Sequence, residues 1–455
     1  MIAVVFLLIL LGITVASALT GGGGAPVAEI ILLVGVMCTF FGSGVYIGAA
    51  LGALGLLAGF AFSDRPFWNF LGQMTWGPSS SFVLVAVPLF LLMGEILLRA
   101  GLSDKLYRAL NVWLNRLPGG LLHTNIAASA IFSAISGSSV ATAATMGSVA
   151  LPFFKSTKYS PKMVLGSLAA GGALGNLIPP GITFIIYGLI TETSVGALYI
   201  AALGPSLLVV VLFIGLIVIH GLRHPVAPEG PAVPLSEKIA SLKDLIPTAL
   251  LILLVLGTIY AGIATPTEAA ALGVAGALLF AAIGRKLTWK MVHDSAEATA
   301  RTTAMIGLIL FGAYLLNFIL TSLRVPQMMA DTVAGLPLPG WAIIALIIGF
   351  YLALGTFMEG FSMILTTIPI VFPIVKALGY DPIWFGVIVT MLVEIAMISP
   401  PDGTVLYVLQ GMRPDRGPIS DVFSGVLPFM LVYIFAIVLM MVWPGIALWL
   451  PTQFN

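Results

Sequence analysis

The sequence predicts an all-α integral membrane protein built from two inverted copies of one five-helix unit. Composition, an internal repeat at one fixed offset and a lopsided placement of basic residues carry that prediction. Of 455 residues, 60% are hydrophobic and only 8% are charged, with a mean hydropathy of +1.13. A soluble domain carries about 25% charged residues. Many stretches here run close to the ~20 apolar residues that cross a ~30 Å hydrocarbon core as a helix. The period-2 alternation of a membrane barrel is missing, so helices are the spanning form. A net charge of +1 without a dense basic tract argues against nucleic acid as a partner.

The repeat appears when 221 is added to a residue number. Pro118, Pro152, Pro161, Pro179 and Pro180 map onto Pro339, Pro373, Pro382, Pro400 and Pro401. Lys155 maps onto Lys376, Tyr159 onto Tyr380, and Ala49-Ala50-Leu51-Gly52 onto Ala270-Ala271-Leu272-Gly273. Alanine and leucine matches are cheap in so apolar a chain, but prolines, a lysine and a tyrosine in one ungapped register mark a duplication.

Taken in order, residues 1–20 form an extra apolar helix without a counterpart in the second copy. Ala16-Ser17-Ala18 resembles a cleavage site, yet the segment lacks a basic n-region, so a retained helix is expected. Copy one occupies 26–223. It has scaffold helices near 26–43, 46–63 and 77–102, an apolar hairpin over 119–154, a long helix over 161–191 and a last helix over 195–222. The Pro-rich segment 224–244 links the copies. Copy two occupies 245–446, with helices near 245–264, 267–284 and 298–322, a hairpin over 340–375, a long helix over 383–411 and a last helix over 420–446. The hairpins bend at small residues, around Gly137-Ser138-Ser139 and near Gly360. About 11 transmembrane helices result. Whether a hairpin dips in and returns or crosses twice, each unit crosses an odd number of times, so the copies must be inverted, an arrangement found in secondary transporters. This topology puts 16 basic residues on one face, Arg99 to Arg416, against Arg65, Arg324 and Lys376 on the other. The crowded face is therefore cytoplasmic, and the C-terminus ends outside.

The long helices of the two copies are interrupted at equivalent places, Asn176-Leu177-Ile178-Pro179-Pro180-Gly181 and Ile398-Ser399-Pro400-Pro401-Asp402-Gly403. Proline lacks an N–H and clashes with the carbonyl four residues back. The carbonyls of Gly175, Asn176, Ala396 and Met397 are thus expected to lose helical partners at membrane depth, where free backbone groups are tolerated only around a cavity or site. Exposed carbonyls suit a dehydrated Na⁺, and the following half-helix offers N–H groups to an anion. The hairpin bends add Ser136, Gly137, Ser138, Ser139, Thr142 and Thr145 in copy one, and Glu359, Gly360, Ser362, Thr366 and Thr367 in copy two. Small residues there also permit close helix packing. A carboxylate at membrane depth is costly and marks a functional position, which singles out Glu359, Glu394 and Asp402. Glu95, Glu192 and Glu268 lie nearer helix ends, where capping explains them equally well. No Lys or Arg sits deep in a helix, so an anionic solute would be held by N–H groups and hydroxyls or neutralised by cotransported cations.

Other chemistry is poorly represented. Cys38 has no partner in the chain and reads as a buried inert thiol. His123, His220, His224 and His293 lack ligand spacing, and neither a phosphate-binding lysine loop nor an H-E-x-x-H pair occurs. Trp76, Trp113, Trp341, Trp384, Trp443 and Trp449 fall near span boundaries, as an interfacial belt would.

Several of these segments resemble the large membrane subunit of TRAP (tripartite ATP-independent periplasmic) transporters, from about residue 26 to the C-terminus. The resemblance rests on Val87-Pro88-Leu89-Phe90 with Gly94-Glu95, Ala134-Ile135-Ser136-Gly137-Ser138, and Leu177-Ile178-Pro179-Pro180. Ala264-Thr265-Pro266-Thr267-Glu268-Ala269 and Ser399-Pro400-Pro401 with Gly403 add to it. It implies a Na⁺-driven, elevator-type importer of the bacterial inner membrane, with no other cofactor. Its partners would be a small membrane (Q) subunit and a periplasmic substrate-binding (P) protein. The substrates would be carboxylates such as C4-dicarboxylates, sugar acids or sialic acid. The implied Na⁺ and substrate sites are Ser136 to Ser139, Asn176 to Pro179, Glu359 to Ser362 and Ser399 to Gly403. Thr142 and Glu359 depart from the family pattern, which has aspartate at both places. A stand-alone sodium–carboxylate symporter of similar fold, or a membrane scaffold or receptor that moves nothing, are the competing readings.

Overall fold

The computed structural model describes residues 46–62, 68–154, 157–226, 233–334 and 337–454. The expected helices over 1–20 and 26–43, and Cys38, lie outside the described residues. Among those described, the chain is almost entirely helical. In chain order come α1 (Ile47–Phe62), α2 (Leu71–Ser79), α3 (Ala86–Arg99), α4 (Leu102–Leu114), α5 (Leu121–Ser136), α6 (Ser139–Ala150), α7 (Pro161–Gly172), α8 (Ile182–Thr191) and α9 (Val195–Arg223). The second series is α10 (Leu235–Ser241), α11 (Ile246–Ile252), α12 (Thr258–Tyr260), α13 (Pro266–Ile283), α14 (Trp289–Ser322), α15 (Val325–Ala334), α16 (Gly340–Leu354), α17 (Gly360–Ala377), α18 (Pro382–Met397), α19 (Thr404–Met412) and α20 (Ile419–Val442). A π-helical turn, Leu253–Gly257, joins α11 to α12.

The element order repeats at the offset seen in the sequence. Ser139 opens α6 and 139 + 221 = 360 opens α17; Pro161 opens α7 and 161 + 221 = 382 opens α18. Proline at the first helical position starts both of the latter, where its missing N–H costs nothing. Seven helices among the described residues are long and apolar enough to cross a bilayer, Val195–Arg223 and Ile419–Val442 among them. The first hairpin is built from shorter pieces. Its arms of 16 and 12 residues are about 24 and 18 Å long at ~1.5 Å per residue, less than the ~30 Å core. Each helix of the hairpin is by itself shorter than a full crossing.

Residues fall into two compact units. Among the described residues, one comprises 46–62, 68–81, 302–334, 337–347 and 361–380. Within it, Gly48, Gly52 and Gly55 of α1 lie along α14. A Cβ on Gly48 would stand 2.8 Å from the Leu308 carbonyl, and one on Gly312 2.3 Å from the Gly48 oxygen. Side-chain-free surfaces let these backbones touch, the usual means of helix association in lipid. On α17 the Thr366 and Thr367 hydroxyls donate to the Ser362 and Met363 carbonyls, both at 2.7 Å.

The second unit comprises, among the described residues, 82–154, 157–226, 233–301, 348–360 and 381–454. Here α7 and α20 meet at Gly166 and Gly425, where an added Cβ on either would come within 2.0 Å of the opposing backbone oxygen. Phe213 of α9 packs edge-on against Phe429 and Tyr433 of α20, with ring centroids 5.5 and 5.7 Å apart. Trp384 is a correction to the interfacial belt. It is 2% exposed and its indole N–H donates to the Met440 carbonyl at 3.0 Å. Being two residues past a helix start placed it near a boundary by count, but packing against α20 claims it.

Candidate functional site

The site grows from two local breaks in helix geometry. α5 ends at Ser136 because Gly137 turns left-handed (φ 60°), its N–H closing on the Ser133 carbonyl at 3.1 Å. Ser138 is extended and caps α6, its hydroxyl accepting from the Ala141 N–H. The Ser136 and Thr142 hydroxyls bond to each other at 2.8 Å, tying the two arms together just below the tip.

The second break lies between α7 and α8. After Gly172 the chain winds through tight turns, Leu174 N–H on Gly171 and Gly175 N–H on Gly172, and Ile178 N–H still reaches the Leu174 carbonyl at 2.9 Å. The Pro179–Pro180 bond is cis, and neither proline can donate to the carbonyls of Gly175 and Asn176. Tip and break are in backbone contact. A Cβ on Gly175 would lie 2.4 Å from the N and Cα of Ser139, and one on Gly137 2.5 Å from the Pro180 oxygen. The Ile182 N–H, at the start of α8, donates to the Gly137 carbonyl at 3.2 Å.

Three side chains complete this junction. Glu394, on α18 of the other copy, is fully buried. It accepts from the Ser139 hydroxyl, which stands 2.7 Å from both carboxylate oxygens, and from the Asn176 backbone N–H at 2.8 Å. The Asn176 side-chain amide donates to the Ser139 oxygen at 2.8 Å. The Asn176 Oδ1 is buried and has no hydrogen-bond partner among the described residues. Among the described residues, no basic side chain forms an ion pair with Glu394. A buried carboxylate is costly unless paired or well hydrogen-bonded, and here hydroxyl and amide donors serve it.

The second copy repeats the backbone but not the side chains. Pro400–Pro401 is also cis, and the Gly403 N–H closes on the Ser399 carbonyl at 2.8 Å. A Cβ on Gly360 would stand 2.6 Å from Val393, and one on Gly355 2.8 Å from Ala396, so this hairpin bend also rests on its broken helix. The counterparts of Ser139 and Asn176 are Gly360 and Met397, and the Thr404 hydroxyl lies 3.1 Å from the Met397 sulfur. The expectation that the Ala396 carbonyl is freed is corrected. The last turn of α18 tightens and the Ser399 N–H takes it at 3.2 Å.

The remaining residues singled out by sequence are distributed as follows. Ile178 is half-buried and Pro179 buried within the first break; Ser399 and Gly403 are buried, Pro400 is half-buried and Asp402 exposed within the second. Glu359 is half-buried immediately before α17. Ser362 is buried on α17 and belongs to the other compact unit. Ser136, Gly137, Ser138, Ser139, Thr142, Asn176 and Glu394 thus come together at one junction. Glu95 pairs with Arg99 on α3, and Glu268 closes a capping box with Thr265 at the head of α13, which assigns both to helix ends. Sequence reading missed Tyr433, Ser206 and Tyr199. Their hydroxyls donate to the carbonyls of Ala173 (3.1 Å), Leu177 (3.2 Å) and Gly181 (3.5 Å), holding the first break in place. No spacing announces such bonds.

The family described as tripartite ATP-independent periplasmic transporter, DctM component, matches residues 2–446. The sialic acid TRAP transporter large permease SiaM of Vibrio cholerae is 32% identical over 85% of this chain and 90% of that one. The C4-dicarboxylate TRAP transporter large permease DctM of Pseudomonas aeruginosa is 33% identical over 82% and 87%, and the ectoine permease TeaC of Halomonas elongata 30% over 81% and 86%. In fold, the chain is similar to the Alcanivorax borkumensis YdaH transporter (TM-score 0.61, 17% identity, 91% of this chain and 99% of that one). Neisseria gonorrhoeae MtrF is similar as well (TM-score 0.59, 16% identity, 94% and 97%).

Proposed function

Because the chain belongs to the DctM family of tripartite ATP-independent periplasmic transporter components, we propose that it is the large transport subunit of a Na⁺-coupled importer of small organic acids, dependent on a binding protein and working as an elevator. The observation that carries the reading is the junction of hairpin tip and helix break. The Ser139 hydroxyl and the Asn176 backbone N–H reach the buried carboxylate of Glu394, and the Asn176 Oδ1 is unpartnered among the described residues. The same break contains the carbonyls of Gly175 and Asn176, to which neither proline can donate. A small hard cation prefers oxygen ligands, and its charge offsets that of a carboxylate lacking a basic partner. The Na⁺ would be bound as cargo here, and loading it neutralises the region for an anionic solute.

The close backbone contact of tip and break makes the two a single lever. In this reading the hairpins and broken helices, 119–191 and 340–411, carry solute and Na⁺ past the remaining helices. The partners are a small membrane subunit and a periplasmic binding protein, in the bacterial inner membrane, with the C-terminus periplasmic and, if helix 1–20 is retained, the N-terminus cytoplasmic. The relatives named for sialic acid and C4-dicarboxylate support an organic-acid substrate, and in this reading the soluble partner selects among such acids. Uptake of labelled sialic acid and succinate into proteoliposomes holding all three components tests this. Uptake of one of them should require inward Na⁺ and the binding protein. Equal uptake with K⁺ in place of Na⁺ would remove the coupling from the proposal.

A further inference from the structure

The helices α13 and α14 are both long and apolar enough to span the membrane, and only residues 284–288 separate them. That turn is therefore confined to a membrane surface, the one that the bias of basic residues assigns to the cytoplasm. It is tightly wound. The Gly284 N–H returns to the Phe280 carbonyl, the Lys286 N–H to Ala281 at 2.9 Å, and Arg285 adopts φ 53°. On the far side, the Thr288 hydroxyl accepts the Met291 N–H at 3.1 Å and starts α14. The backbone thus fixes the points from which the neighbouring side chains leave the turn.

Those side chains are Arg285, Lys286 and Lys290, all exposed. None of them forms an ion pair among the described residues. Glu268 and Asp294 are the nearest acidic residues along the chain. The first is at the opposite end of α13, and the second stands 3.8 Å from the His293 ring. Beside the three cations, Trp289 is 83% exposed and Ile283 68%. Three uncompensated cations beside a bare indole and an isoleucine make an odd surface for water. They suit the boundary where phosphate oxygens meet acyl chains, because an indole sits at headgroup level with its apolar body inward.

We propose that this turn is a binding site for the headgroup of an anionic phospholipid, phosphatidylglycerol in kind, with Arg285, Lys286 and Lys290 on its phosphate and Trp289 and Ile283 against its chains. The duplication sharpens the argument. Gly284-Arg285-Lys286 corresponds in sequence to Ser63-Asp64-Arg65 in copy one, so the equivalent sequence positions carry a balanced charge pair. A cation near an anionic membrane surface is worth about fivefold in affinity, so three give on the order of a hundredfold.

The test extracts the full chain from bilayers of equal phosphatidylglycerol and phosphatidylcholine and counts retained lipids by native mass spectrometry. The wild-type chain should keep phosphatidylglycerol preferentially. Arg285→Gln/Lys286→Gln/Lys290→Gln should fall to parity, while Lys158→Gln/Lys162→Gln should retain the preference. Unchanged preference in the triple variant, or an equal loss in the control, overturns the proposal. So does displacement of the lipid by inorganic phosphate alone. If the triple variant does not insert, Lys290→Gln by itself should lower retention several-fold, and no change would count equally against the site.

Discussion

Gly175→Ala is the sharpest probe of the junction. The added methyl would lie 2.4 Å from backbone atoms of Ser139, about 1 Å inside ordinary contact, and backbone yields less readily than a flexible side chain. The hairpin tip must withdraw by about that distance, which stretches the 2.7 Å Ser139–Glu394 bond past the ~3.5 Å at which a hydrogen bond fails. Overpacking of this kind costs about 1–3 kcal/mol, and losing a hydrogen bond to a charged group adds about 1.5–3 kcal/mol. Because ~1.4 kcal/mol is tenfold in affinity, the Na⁺ concentration for half-maximal uptake should rise by at least about tenfold. Gly215→Ala is the matched control. It lies within α9 with nothing inside 4 Å of the new methyl, and removing a helical glycine should stabilise by about 0.5–1 kcal/mol. Both variants are assayed for Na⁺-dependent uptake and for thermal unfolding in detergent. If Gly175→Ala follows Gly215→Ala in both readouts, tip and break do not form a tight ion junction and the reasoning fails.

Glu394→Gln removes the buried charge while keeping the shape, so half-saturating Na⁺ should rise about tenfold with little change in melting temperature; unaltered Na⁺ dependence would show that the carboxylate does not serve the ion. Glu394→Ala, in contrast, leaves the Ser139 hydroxyl and Asn176 N–H facing a cavity, and should cost about 1–3 kcal/mol of stability per unsatisfied group, read by thermal unfolding. Tyr433→Phe loses the bond to the Ala173 carbonyl but keeps the ring contact with Phe213, so the expected loss is about 0.5–1.5 kcal/mol; a neutral result would mean that the hydroxyl does not hold the break. Arg413, buried between α19 and α20, hydrogen-bonds Asp415 and holds that carboxyl below its ordinary range. A depressed carboxylate contributes stability above its unfolded value of about 3.9 and loses it as pH falls through the lower folded value. Melting of wild type and Asp415→Asn should therefore differ by a small, constant amount from pH 5 to 8 and converge only in acid; convergence near neutrality would contradict the pairing. The small size follows from the exposure of Asp415, 54% by side chain.

Much of this fold was legible because its devices are local and repeated. Paired prolines break helices wherever they stand, and Gly137 announces its bend through a conformation that glycine adopts without strain. Two copies in one register then exposed each other. The helix α4 was not foreseen, because Leu106, Tyr107 and Ala109 turn inward while Asp104, Lys105 and Arg108 remain exposed, and charged residues so close to a span read as a loop. The linker likewise contains α10, whose Lys238 lies 5.7 Å above the Trp113 ring. At the junction the candidate residues were visible one at a time, but not their meeting. Ser139 and Glu394 are 255 positions apart, and only tertiary packing decides that Glu394 serves the first copy's break and not its own.

That crossing has an evolutionary consequence. A tandem duplication begins with two identical halves, and any feature made by main-chain atoms is inherited by both, as the twin cis-proline turns are. A side chain reaching from one half into the other needs a different residue at each end. Once Ser139 and Asn176 have come to depend on Glu394, with Gly360, Met397 and Ala173 as their plain counterparts, the halves are no longer exchangeable. A chain assembled from two copies of either half would keep the scaffold's outline and lose one end of this bond.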